Sequence, residues 1–134
     1  MSSSSNMKKI LIIEDEHFLL DMYQTKFKSE GYKVYTARDG QEGLVITKKE
    51  HPDLILLDIV MPIMNGYEFL HQVRRDKEIK DLKVYIFSNL GQSSEIKKGI
   101  NEGADGYLIK ANLTPNQLAD KVKKILGEEV KKAA

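Results

Sequence analysis

Three stretches of the chain, "KKILIIE", "LILLDI" and "LKVYIFS", are nearly unbroken apolar runs, while "YKVYT" and "GYLIK" are shorter or alternate with polar positions. Inner strands of a parallel sheet, covered on both faces, read as continuous apolar runs, and edge strands alternate. The pattern therefore predicts five strands, with "YKVYT" and "GYLIK" at the edges. Between the runs the apolar period lengthens to that of a helix. Leu20, Tyr23 and Phe27 mark a first helix, which Gly31 can end in a left-handed cap. Asp39 with Glu42 and Asn65 with Glu68 resemble capping boxes, and Thr114, Pro115 and Gln117 give an N-cap, a proline at the first helical position and a box partner. In that last helix Leu118, Val122, Ile125 and Leu126 keep one apolar stripe. The segment 93–103 reads as the weakest helix. Its inward stripe is little more than Ile96 and Ile100, and Gly99 costs about 1 kcal/mol relative to alanine, so it is expected to be the most mobile element. Strict alternation of strand and helix, with right-handed crossovers, predicts an α/β fold: a doubly wound five-stranded parallel sheet with helices on both faces.

The chain ends do not share this patterning. The leader "MSSSSN" is polar and of low complexity, so residues 1–7 are read as a disordered leader, 8–127 as one domain and 128–134 as a tail. At 134 residues the chain has one domain's worth of sequence. Lys and Arg total 21 against 20 for Asp and Glu, so no global field recruits nucleic acid or an anionic membrane. Any function based on charge must be local. The absence of cysteine excludes disulfides, thiolate zinc sites and a cysteine nucleophile, and points to a reducing, cytoplasmic setting. No apolar run approaches the roughly 20 residues that span a bilayer.

In doubly wound sheets the ligand crevice lies at the carboxyl ends of the strands. There the sequence puts Glu14 and Asp15 after the first strand, Asp58 after the third, Ser88 after the fourth and Lys110 after the fifth. Taken singly, each has a plainer role: an acid at a strand end is usually an N-cap or turn former, a serine a turn residue and a lysine a solvated terminus. Together they are three carboxylates, a hydroxyl and an ammonium at one end of one sheet. Acids this close repel unless one is protonated or a hard cation sits among them, and oxygen-only ligands suit magnesium. Lysine and serine are natural partners for phosphoryl oxygens. His17, His51 and His71 lie on different elements without ligand spacing and are read as surface residues.

"EDE" after the first strand, "DIVMPIMNG" after the third, "FSN" after the fourth and "GADGYLIKA" around the fifth occur in an order and at spacings that resemble the receiver domain of two-component response regulators, from Lys8 to Leu126. The resemblance implies a flavodoxin-like sheet of order 2-1-3-4-5. It implies that Asp58 accepts a phosphoryl group from a histidine kinase, a histidine phosphotransfer protein or a small acyl phosphate. Magnesium would be held by Glu14, Asp15, Asp58 and the backbone carbonyl of Val60. Ser88 and Lys110 would contact the phosphoryl oxygens, and Tyr107 would be the switch residue that moves with Ser88. Met61-Pro62 would shape the loop over the site, and Gly66 would let the chain turn into the next helix. Val60 and Leu90 would flank the approach of hydrolytic water and Asn89 would narrow it, which implies a persistent phosphoryl group. The implied partners are the kinase, a downstream protein target and, on phosphorylation, a second copy of the chain; neither nucleic acid nor membrane is expected to be bound directly.

The chain departs from the usual receiver pattern in three places. Asn89 follows Ser88 where a small Ala or Gly is usual, and Ala111 follows Lys110 where a proline with a cis bond is usual, so a trans Lys110-Ala111 bond is expected. No output-domain pattern follows, which suits a stand-alone receiver or an excised one. Two other classes fit the sequence less well. A pseudo-receiver binding module predicts a damaged pocket, yet every site residue is present; a haloacid-dehalogenase-type phosphohydrolase needs Asp-x-Asp after its first strand and a lid insertion, and neither is seen.

Overall fold

The computed structural model describes residues 7–128, so most of the expected leader and tail lies outside the described residues. Strands β1 (Lys9–Ile13), β2 (Lys33–Ala37), β3 (Leu54–Leu57), β4 (Val84–Ser88) and β5 (Gly106–Ile109) alternate with helices α1 (His17–Ser29), α2 (Gly40–Glu50), α3 (Gly66–Arg75), α4 (Ser93–Asn101) and α5 (Pro115–Ile125). All pairings are parallel, in the order β2-β1-β3-β4-β5. The fold is the expected one, and the two alternating runs are its edges.

Side-chain alternation along the strands splits the core into two layers. Ile10 and Ile12 of β1 and Leu54 and Leu56 of β3 pack with Leu20, Tyr23 and Phe27 of α1 and Leu118 and Val122 of α5. Leu11 and Ile13, with Ile55 and Leu57, face Phe69, Leu70 and Val73 of α3 on the other side. The eight β1 and β3 side chains named here are at most 1 % exposed. Burial of each Leu or Ile is worth about 1.5–3 kcal/mol, so the two central strands anchor the sheet.

The helix signals are realised with one adjustment. Both halves of the capping box are made at Asn65/Glu68 and at Thr114/Gln117. Asp39 accepts from the Glu42 N–H, but the Glu42 carboxylate reaches back to the N–H of Arg38 instead of its box partner. Gly31, at φ 93°, ends α1 as expected. The three histidines are exposed.

The reading of α4 is corrected. Ile100 is 44 % exposed, Ile96 is only half-buried, and the buried residue of the helix is Gly99. A Cβ on Gly99 would lie 2.5 Å from Ile86 Cδ1 and 3.1 Å from the Tyr107 ring. The glycine is therefore where the α4 backbone comes close to β4 and β5. No helix among the described residues is long and apolar enough to cross a membrane.

Candidate functional site

Each strand delivers its residue to the same end of the sheet because pairing continues to the last strand position. The Asp58 N–H donates to the Ile13 carbonyl at 3.0 Å, carrying the β1–β3 ladder one residue past β3. That contact fixes Asp58 beside the exit of β1, where Glu14 and Asp15 follow. Gly66 closes the loop after Asp58: its N–H donates to the Ile59 carbonyl at 2.9 Å, and a Cβ there would lie 2.5 Å from the Asp58 carbonyl oxygen. Within the loop Ile63 is at φ 67°, a left-handed conformation that β-branched residues rarely adopt. No sequence signal marked it.

Every site residue expected from the sequence except Tyr107 lines one cleft of about 250 Å³, which Glu16 and Leu19 also line. Glu14 is 3 % exposed and Ser88 2 %. The Lys110 ammonium pairs with Glu14 Oε1 and lies 3.4 Å from Asp58 Oδ2. Glu14 Oε2 accepts from the Glu16 N–H at 2.8 Å, so both oxygens of this buried acid are engaged. Asp58 Oδ1 accepts from the Ile59 N–H at 2.8 Å. Its other oxygen faces the more distant Lys110 ammonium. Burial pushes the Asp58 carboxyl above its ordinary value, with Glu14 acting in the same direction; Lys110 and the Ile59 N–H pull it down.

Across the cleft, Ser88 Oγ accepts from the Leu90 N–H at 3.2 Å, and the Tyr107 hydroxyl donates to the Leu90 carbonyl. Burial raises the Tyr107 phenol, and its contact with the Ser88 hydroxyl opposes that shift. Val60 and Leu90 are 66 % and 37 % exposed, so two apolar side chains stand at the mouth. No peptide bond among the described residues is cis, so Lys110-Ala111 is trans, and Lys110–Asn112 form a single 3-10 turn. Among the described residues no three acidic or histidine side chains are gathered as a ready ligand set. The carboxylate of Glu14 is taken by Lys110 and a backbone N–H. Oxygen donors for a hard cation are nonetheless present around the cleft: the exposed Asp15, Asp58 Oδ2 and the carbonyl of Val60.

Comparison with known proteins gives a consistent result. The family model of the response regulator receiver domain matches residues 10–123. A probable transcriptional regulator ycf27 of Cyanophora paradoxa is 34% identical over 121 residues, covering 90% of this chain and 49% of the relative. The chain thus spans about half the length of the curated relatives it matches. Among solved structures, a CheY-like response regulator receiver domain protein of Methanospirillum hungatei superposes with a TM-score of 0.81 at 30% identity, covering 90% of this chain and 94% of that one. A CheX-CheY-BeF3-Mg+2 complex from Borrelia burgdorferi matches with a TM-score of 0.81 at 26% identity, covering 93% of this chain and 94% of that one.

Proposed function

The chain belongs to the response regulator receiver domain family of two-component signalling, and we propose that it takes a phosphoryl group on Asp58 and so switches a surface read by a protein partner. The donor is the phosphohistidine of a histidine kinase or histidine phosphotransfer protein. Asp58 Oδ2, the oxygen not held by the Ile59 N–H, attacks phosphorus in line; the P–N bond breaks and its electron pair leaves with the imidazole. The observation that carries this reading is the Lys110 ammonium, buried between Glu14 and Asp58 in a cleft that Ser88 also lines. One cation already shared between two carboxylates is placed to follow the negative charge onto a phosphoryl oxygen. The Ser88 hydroxyl donates to another, and the loop to Leu90 moves with it, taking the partner of Tyr107 along.

Asp15, Asp58 and the Val60 carbonyl would hold magnesium, and Glu14 would be free to join them if Lys110 turned from it to the phosphoryl group. When bound, the ion supplies the positive charge that lets a carboxylate and a phosphoryl group approach each other. The likeness to a receiver solved with BeF3 and Mg+2 supports this assignment. The test is incubation with acetyl phosphate and magnesium. One phosphoryl mass is expected in the wild type and none in Asp58→Ala or in the presence of EDTA; retention of the mass in either overturns the assignment.

Two finer consequences follow from the same site. Val60 and Leu90 have no side-chain group that orients water, so phosphoryl loss is slow and resetting depends on a phosphatase or back-transfer. Val60→Asn with Leu90→Glu is expected to speed loss by about one to a few powers of ten. The switch itself runs from Ser88 to Tyr107. Beryllofluoride is expected to change hydrogen exchange there more than in any other segment, and an equal change across all helices counts against it.

A further inference from the structure

Asn89 and Ala111, two positions at which the sequence departs from the receiver pattern, touch one another. Asn89 Oδ1 accepts a hydrogen bond from the Ala111 N–H at 2.9 Å, across a separation of 22 residues. We propose that Asn89 is a positioning residue for Lys110: its side chain latches the loop after β4 to the turn after β5, so that Ser88 and Lys110 are held and moved as one unit. This rests on the reading of Asp58 as phosphoacceptor and adds to it the residue that sets where the cation stands.

The turn is what makes the latch matter. Lys110–Asn112 is a single 3-10 turn, closed by the Leu113 N–H donating to the Lys110 carbonyl at 3.2 Å. Such turns are short and have poor hydrogen-bond geometry, and their first N–H groups have no internal acceptor. The amide oxygen of Asn89 satisfies one of these, at the residue next to Lys110. A proline at 111 would have no N–H to offer, so this arrangement requires a residue other than proline there, as Ala111 is. Because Ala111 supplies a donor, the oxygen of the Asn89 amide is the end that faces it.

The other end of the latch lies within the loop that reads the phosphoryl group. Asn89 sits between Ser88 and Leu90, which are tied by the Leu90 N–H to Ser88 Oγ, and Tyr107 donates to the Leu90 carbonyl. A pull on Ser88 is therefore carried through one residue to the backbone of Lys110. Simple bulk at the mouth of the cleft predicts the opposite behaviour: a smaller residue at 89 would open the approach and speed both uptake and loss of the phosphoryl group.

The two ideas separate in Asn89→Ala and Asn89→Leu, one small and one close to asparagine in size, neither with an acceptor. Phosphoryl uptake from acetyl phosphate is followed by intact mass, with Ala111 amide exchange and the Lys110 side-chain NMR signal recorded on the unphosphorylated chains. The latch predicts uptake about tenfold slower in both variants, a faster-exchanging Ala111 amide and a displaced Lys110 signal. Thermal unfolding is expected to be little changed, because the bond is at the surface. Uptake that is faster in Asn89→Ala and unchanged in Asn89→Leu overturns the latch in favour of bulk. An Ala111 amide equally protected in all three chains, or an unmoved Lys110 signal, overturns it as well. A wild-type chain that takes up no phosphoryl group overturns the phosphoacceptor reading, and the latch with it, whatever the variants do.

Discussion

Helices α4 and α5 cover opposite faces of the β4–β5 side of the sheet, and they are held there by different forces. Helix α5 buries Leu118, Ala119 and Val122 and opens with a complete capping box and a proline. Helix α4 has no side-chain cap, and its buried residue is a glycine. What ties it down is polar. The Tyr67 hydroxyl of α3 donates to Glu95 at 3.1 Å, and Lys98 lies 4.4 Å above the Tyr67 ring. His71 pairs with Glu102 just beyond the helix, and Arg74 donates to the Gly103 carbonyl and to Asp105. Apolar burial is lost only when an element leaves the core, whereas surface hydrogen bonds and ion pairs exchange for water at little net cost. A helix clipped by such contacts can shift without unfolding the domain, and it lies beside the loop that carries Ser88.

The contrast breaks most visibly under truncation. Leu118→Ala in α5 is expected to cost about 2–5 kcal/mol in urea unfolding, as for other fully buried leucines. Ile100→Ala in α4, where the side chain is 44 % exposed, should stay within about 0.5 kcal/mol. Comparable losses at the two positions would show that α4 is held by burial after all.

Arg74→Ala comes next. One guanidinium serves the Gly103, Lys80 and Leu82 carbonyls and the Asp105 carboxylate, so it staples the end of α3 to the chain between α4 and β5. A loss of about 1–3 kcal/mol is expected, with faster amide exchange in α4 than in α5. Gly99→Ala sets two effects against each other. Helix propensity favours alanine by about 1 kcal/mol, but the new Cβ would meet Ile86 and Tyr107. Overpacking of this kind costs about 1–3 kcal/mol, so a net loss of about 1 kcal/mol is expected, and a more stable variant would sink the close-approach account.

The same contrast explains what the sequence disclosed. Continuous apolar runs located the strands because the inner ones are buried on both faces, and the box at Thr114 and the stripe from Leu118 located α5 because that helix obeys local rules. Glu14, Asp15, Asp58, Ser88 and Lys110 could be grouped because topology brings strand ends together whatever their loops do. In helix α4 only the inward stripe departs from the expectation, since Ile100 is exposed and Gly99 is the buried residue. Gly99 looked like a weak point from propensity alone, and only the distance to Ile86 gives it a reason. The engagement of Glu14 by Lys110, the left-handed Ile63 and the Asn89–Ala111 bond are likewise long-range or loop facts with no periodic signature.

The smallest test concerns the Tyr67–Glu95 tie. Burial, then the hydrogen bond to Glu95, pushes the Tyr67 phenol up to about 12 from an ordinary value of 10. Below pH 10 both folded and unfolded chains carry the proton, and the tie contributes fully. Between pH 10 and 12 the unfolded chain loses its proton while the folded one keeps it, so stability falls as pH rises. Two pH units correspond to about 2.7 kcal/mol for a fully buried group, but Tyr67 is only partly buried, and solvent screening brings the effect below about 1 kcal/mol. Tyr23, Tyr32 and Tyr107 are raised as well, so the quantity to measure is the difference between wild type and Tyr67→Phe, in which their contributions cancel. The wild type is expected to be more stable by about 0.5 kcal/mol near pH 9, and the gap should close as pH 12 is approached. A gap that stays constant through that window means the phenol makes no such bond in solution, and the hold on α4 would then rest on His71 and Arg74.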